Sequence, residues 1–170
     1  MLLDEIGRRL ADADLTATAL VVGGAAVALT LGTRDSTTDV DAIDRGAPEV
    51  YAIADEVGAE HGLLEGWFNR AAAAWVPPLA SEWSREHFVT GSLTIYLADA
   101  RTLLVMKMLS NRAVDFPDLV ELVCSLNIED PREIVRLVHE AYPDGHGARM
   151  PCDDDLLIDA AEIIREAGKR

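Results

Sequence analysis

Two glycines and two aspartates carry the chemistry most legible in this chain. Gly23-Gly24 closes the apolar run Ala19-Leu20-Val21-Val22, and after 14 further residues, the last of them Thr38, comes Asp39-Val40-Asp41 with its paired acids at 39 and 41. Polar and apolar residues alternate from Thr37 to Ile43, as on a half-buried strand, so the two carboxylates share one face a few ångströms apart. Carboxylates so placed repel each other unless a cation lies between them. Mg²⁺ (or Mn²⁺) held by one or two carboxylates and by substrate phosphates is the usual solution. Upstream, a Gly-Gly turn lets backbone approach a ligand, and the helix N-terminus behind it offers N–H groups and a positive dipole end to phosphate. Gly23, Gly24 and Ala25 are therefore the candidate nucleotide-binding residues, and Asp39 and Asp41 the candidate metal ligands. Taken singly, a Gly-Gly turn is common and an Asp-x-Asp strand is often a solvated edge; it is the spacing in a strand–turn–helix–strand context that joins them. A dinucleotide fingerprint is excluded because no G-x-G-x-x-G occurs, and a P-loop because Gly32 is followed by Thr33-Arg34.

A second group lies between Leu103 and Leu119. Lys107 sits inside an otherwise apolar helix, in a chain with only two lysines. Such a lysine supplies a compact point charge to a triphosphate, or else snorkels with its head in water. Arg112 can pair with a nearby acid or with a phosphate. Asp115 and Asp118 read equally as catalytic acids and as an N-cap and a first-turn acid of the helix that Pro117 opens. Arg34, five residues before Asp39, lies in a loop expected to overhang the same cleft.

The Gly23-Gly24 to Asp39-Val40-Asp41 unit resembles the nucleotidyltransferase superfamily typified by DNA polymerase beta. Leu103-Leu104-Val105-Met106-Lys107, with Arg112, Asp115 and Asp118, looks like the segment that follows the sheet in AbiEii-like bacterial nucleotidyltransferases, many of them toxins of toxin–antitoxin or phage-abortive systems. The resemblance covers roughly residues 17 to 45 and 92 to 120. It implies a magnesium-dependent transfer of a nucleoside monophosphate from a nucleoside triphosphate to a hydroxyl of a tRNA 3′ end or of a protein, with a cognate antitoxin as a partner. It also implies that Asp39 and Asp41 hold the metal, that Lys107 and Arg34 stabilise the leaving pyrophosphate, that Arg112 is among the nucleotide-binding residues, and that Asp115 orients or deprotonates the acceptor. Two departures stand out. Many family members carry Gly-Ser at the turn, where this chain has Gly24-Ala25, and the later strand Leu93–Leu97 lacks the third metal carboxylate. Glu86, Asp99 or Asp115 is left to supply it. If none does, the alternatives are a nucleotide- or partner-binding protein without turnover, or an antitoxin-like regulator.

The elements that must position these residues follow from periodicity and punctuation. Leu2, Leu3, Ile6 and Leu10 predict a first helix ending near Asp12–Asp14; Ala19–Val22 predicts a strand and Ala25–Leu31 a helix. Thr37–Ile43 predicts a second strand, and Pro48 opens a helix through about Gly62. The stretch from Glu65 to Pro78 has no clear period and reads as loop plus a short element. Phe88–Val89 and Leu93–Leu97 are expected as strands about a turn at Gly91-Ser92. Helices are then expected at Thr102–Ser110, Phe116–Ser125, Pro131–Tyr142 and Asp154–Ala167, with Asp99, Asp115, Asp130 and Asp153 as N-caps. The fold class is thus α/β (α+β), a nucleotidyltransferase-like mixed sheet flanked by helices with a helical C-terminal half. An α/β core over residues 1–98 and a helical part over 99–170, packed as one continuous domain, is the expected organisation.

The chain has 170 residues and a formal charge of −15, with 49% hydrophobic residues. That composition fits one compact globular domain with a core large enough to exclude water from a cleft. A surface so acidic excludes extended, non-specific DNA binding, which runs on Lys and Arg neutralising phosphates. Cys124 and Cys152 belong to no metal-binding or disulfide pattern, and no signal peptide or membrane-spanning run is present, so a reduced, cytoplasmic setting is expected. His61, His87, His139 and His146 show no metal-ligand spacing. Trp67, Trp75 and Trp83 read as core or cleft-wall residues.

Overall fold

The computed structural model describes residues 2–32, 37, 39–78, 80, 84–145 and 150–169, with the side chain of residue 86 also left out. The chain divides into two compact units: Met1–Ala74 with Ser84–Ala98, and Trp75–Trp83 with Asp99–Arg170. The second unit thus takes in Trp75–Trp83 as well as the residues after Ala98.

The first unit is α+β. Its elements are α1 (Leu2–Asp12), β1 (Ala17–Val21), α2 (Gly23–Leu31), β2 (Val40–Asp44), α3 (Glu49–Glu60), β3 (Phe68–Asn69), a 3₁₀ turn over Ala71–Trp75, β4 (Ser84–Thr90) and β5 (Leu93–Ala98). The five strands form one mixed sheet in the order β3-β2-β1-β5-β4. β1 runs parallel to β5 and antiparallel to β2, β2 is parallel to β3, and β4 is antiparallel to β5. The central strands read as apolar runs because both faces are covered, and Leu20, Val21, Ile95 and Leu97 are all buried. α1 packs on α3 through Ile6 and Leu10, with Val50, Ala54 and Val57 buried on α3. At Gly7 the chain comes so close to Thr90 that a Cβ would stand 2.0 Å from the Thr90 carbonyl oxygen.

The edge of β2 is closed in two ways. β3 pairs only with Val40 and Asp41. Beyond it the Tyr51 hydroxyl donates to the Ala42 carbonyl at 2.8 Å and accepts from the Asp44 amide at 2.9 Å. One phenol thus satisfies two backbone groups that have no strand partner.

The second unit is helical: α4 (Ala100–Ser110), a 3₁₀ turn over Ala113–Asp115, α5 (Phe116–Leu126), α6 (Pro131–Ala141) and α7 (Asp153–Ala167). α4 is buried from Thr102 through Leu109 and packs against α5 and α6. Asp99 caps it by accepting from the Thr102 amide at 2.8 Å, and Asp130 caps α6 by accepting from the Arg132 amide at 2.9 Å. The other two expected caps are corrected. Cys152 caps α7 through its Sγ and Asp153 is the first helical residue, while Asp115 does stand at the N-cap position of α5 but makes no side-chain cap bond, its carboxylate being held by Lys107 and Arg112. No helix among the described residues is long and apolar enough to cross a membrane.

Candidate functional site

The candidate phosphate cradle forms where β1 runs into α2. The Val22 amide donates to the Asp41 carbonyl at 2.9 Å, extending the β1–β2 ladder to the last residue before the turn. Gly23 then takes a φ of +64°, a left-handed conformation that an L side chain adopts only with strain. A Cβ there would meet the Asp41 Oδ2 at 2.5 Å, so any side chain would push the carboxylate aside. The half-buried Asp41 carboxylate therefore lies against the mouth of α2, where a negative charge is favoured by the first-turn amides and the helix dipole. Asp39 stands exposed just ahead of β2, its carbonyl accepting from the Thr37 hydroxyl at 3.0 Å. The expected strand over 37–43 is thus shifted to 40–44, which leaves Asp41 inside the strand and Asp39 at its entrance.

The register shows what neighbours Asp41. Val21 pairs with Ala42 on one side and Leu97 on the other, so one step further Val22 stands between Asp41 and Ala98. The position of β5 level with Asp41 and on the same face is a buried alanine. On the outer side Asp41 pairs with Asn69 of β3, whose amide is used locally: Nδ2 donates to the Gly66 carbonyl and Oδ1 accepts from the Ala71 amide. The Val40 amide donates to the Trp67 carbonyl at 2.6 Å. Trp67 is anchored in turn by its indole N–H on the Ala54 carbonyl at 2.7 Å. Trp67, expected as a core or cleft-wall residue, is buried here, whereas Asn69 gave no signal in the sequence because a strand of two residues carries no period.

Among the described residues, no group of three His, Cys, Asp or Glu is placed to hold a metal ion. Of the acids expected to complete the site, Asp99 is engaged as the α4 cap and Asp115 in an ion cluster, and the Glu86 carboxyl lies outside the described residues. Arg34 and Thr38 also lie outside them, whereas Ala25 is buried in the first turn of α2.

Lys107, Arg112 and Asp115 come together within the helical unit, joined by Asp118. Lys107 is 6% exposed, so its head does not reach water as a snorkelling lysine's would. Its ammonium lies 2.5 Å from Asp115 Oδ1 and 2.8 Å from Asp118 Oδ2. Arg112 donates through Nε to Asp115 Oδ2 at 2.7 Å, and the Ser110 hydroxyl donates to the same oxygen at 3.3 Å. Burial by itself would raise the Asp115 carboxyl, but the hydrogen bonds and charges of Arg112 and Lys107 outweigh it and hold it below the usual carboxylate value. The i, i+3 spacing of Asp115 and Asp118 was the sequence signal for two acids on one cation. Of the other singled-out residues, His61 ends α3, His87 is exposed on β4, and His139 pairs with Asp153 at 2.9 Å. His146 and Trp83 lie outside the described residues.

The family model described as "Nucleotidyltransferase of unknown function (DUF6036)" matches residues 1–142, a stretch that holds the Gly23–Asp41 unit and the Lys107 cluster alike. No curated protein matches the chain. No solved structure matches it either. On the strength of the family match, the chain belongs to the DUF6036 family of nucleotidyltransferases.

Proposed function

We propose that the protein transfers a nucleoside monophosphate from a nucleoside triphosphate to a hydroxyl acceptor, at the carboxyl end of β1. The observation that carries this reading is the Asp41 carboxylate lying against Gly23 at the start of α2, in a space that a Cβ would fill. Asp39 and Asp41 offer hard oxygen donors, and two carboxylates with phosphate oxygens and water suit Mg²⁺ or Mn²⁺. When bound there, such a cation neutralises charge on the triphosphate. The residues of the chain do the rest: Gly23, Gly24 and Ala25 present first-turn amides to the phosphates, and the β3 buttress holds the backbone beside Asp41. In the reaction the acceptor oxygen bonds to the α-phosphorus as the α–β bridging bond breaks. Pyrophosphate departs, and the hydroxyl proton passes to a base or to solvent.

The AbiEii-like resemblance extends the reading to the acceptor, a tRNA 3′ end or a protein hydroxyl, and to a toxin with a cognate antitoxin. A charge of −15 favours the protein acceptor over RNA. For Lys107, Arg112 and Asp115 to act on a phosphate or acceptor, their mutual ion pairs have to open. A second reading, nucleotide binding without turnover, is favoured by Ala98 at the position level with Asp41.

The test incubates the full chain with Mg²⁺ and each α-³²P-labelled nucleoside triphosphate, offering total tRNA in one arm and protein acceptors in the other, with calorimetric binding in parallel. Label transfer that is lost in Asp41→Asn supports the proposal; full transfer by that variant refutes it. Binding without transfer by the unmodified chain selects the second reading.

A further inference from the structure

The helical unit carries a groove whose wall on α7 has no part in the proposed transfer. Met108 of α4, Phe116 and Leu119 of α5 and Ile163 of α7 give it an apolar lining, and Asp159 and Glu162 add acids from α7. Its volume, about 140 Å³, suits one long side chain. Sites for drug-sized ligands run to roughly 300–1,000 Å³. α7 lies beyond the matched residues 1–142, so the acidic wall is not part of the stretch that defines the family.

The charges decide the occupant. Lys107 and Arg112 also line the groove, but the adjacent Asp115 and Asp118 balance them. Asp159 and Glu162 are what remains. Among the described residues Asp159 has no ion-pair partner, and Glu162 is met by Arg165 of its own helix at 3.4 Å, with both side chains exposed to water. Burial first, then the neighbouring Asp155 and Glu162, push the Asp159 carboxyl upward, a crowding that a cation relieves. Val114, next to the lining residue Ala113, is 67% exposed, and Ile158, next to Asp159, is 66% exposed. Both are apolar area that a bound partner could remove from water.

We propose that this groove docks a basic amphipathic segment of a partner protein. A Lys or Arg stem lies along the apolar lining with its charged head at Asp159 and Glu162, while apolar neighbours of that residue cover Val114 and Ile158. The proposal rests on the apolar lining and on the acids of α7, and its test reads peptide binding without nucleotide. A second copy of the chain is the poorer occupant, because two bodies of charge −15 repel.

The experiment titrates the full chain into a fluorescein-labelled synthetic peptide of Lys and Leu arranged on a helical period, read by anisotropy at physiological salt. Controls are a scrambled peptide of the same composition and a peptide with Glu in place of Lys. Saturable binding of the periodic peptide is expected, weakened about tenfold in the Asp159→Asn/Glu162→Gln double variant, the scale of lost charge-assisted hydrogen bonds. The Glu129→Gln/Glu140→Gln double variant removes the same charge elsewhere and is expected to leave binding unchanged. Equal loss in both double variants, equal binding of the scrambled peptide, or no binding to the unmodified chain overturns the proposal. So does a stable dimer that the double variant dissociates.

Discussion

Replacing Lys107 by methionine removes a cation that two buried carboxylates share, and the structure sets the size of the effect. Breaking a buried ion pair by deleting one partner costs about 3–5 kcal/mol, because the remaining charge stays out of water without compensation. Asp115 keeps Arg112 at 2.7 Å, so the loss falls mainly on Asp118, 2.8 Å from the ammonium, and the lower end of that range applies. About 3 kcal/mol corresponds to a Tm lower by about 6–12 °C for a chain of this length. Arg112→Met is the matched control. Its side chain is 64% exposed, and a water-screened partner contributes about 0–1 kcal/mol. Acid supplies the sign. Asp115 is held below the ordinary carboxyl value in the folded chain, so its contribution is complete above that value and is lost as pH falls through the folded one. In Lys107→Met the Asp115 carboxyl loses one of the groups that hold it down and protonates more readily, and the gap in Tm between variant and parent should narrow as pH falls from about 7 toward about 4. Differential scanning calorimetry across that range measures both effects. A Lys107→Met protein within about 2 °C of the parent at pH 7, or one less affected than Arg112→Met, would refute the account of a shared buried cation.

Two further substitutions test the first unit. Gly23→Ala should lower stability by about 1–2 kcal/mol from the left-handed backbone alone. The added methyl also displaces the Asp41 carboxylate, so nucleotide affinity measured by calorimetry with Mg²⁺ should drop further than stability does. Tyr51→Phe leaves the Ala42 carbonyl and the Asp44 amide without their partner at 2.8 and 2.9 Å, and should cost about 1–3 kcal/mol in urea unfolding with ring packing retained.

Helices were legible wherever apolar residues recurred over several turns. α1, α5 and α6 end within two residues of the expected positions, because Ile6 and Leu10, or Ile134 and Val138, must all face inward. β4 was legible only at Phe88–Val89, since Ser84-Arg85-Glu86-His87 is polar and the irregularity between Glu86 and Phe88 breaks the alternation. The Gly23-Gly24 turn and Asp41 were readable because steric need restricts the residue types a tight turn admits. The partner at Asp41 on β5 was not, because an alanine in a strand announces nothing until the register shows which residue it stands beside. Asp115 stayed open between roles for a physical reason: the residue before a helix start can cap the helix or pair with a cation, and only the fold brings Lys107 within reach.

The position of β5 has a consequence for how the protein is made. It lies between β1 and β4 in the sheet, yet it is the last of the strands to be synthesised. Until residue 98 has emerged, Ala17–Val21 presents an apolar, unpaired edge, the kind of surface on which nascent chains associate. α1, synthesised first, can take up its contact at Thr90 only after the hairpin arrives, so the beginning of the chain waits for the end of the unit. A chain stopped short of residue 98 lacks the strand that pairs with Ala17–Val21, so both must have emerged before that edge is covered.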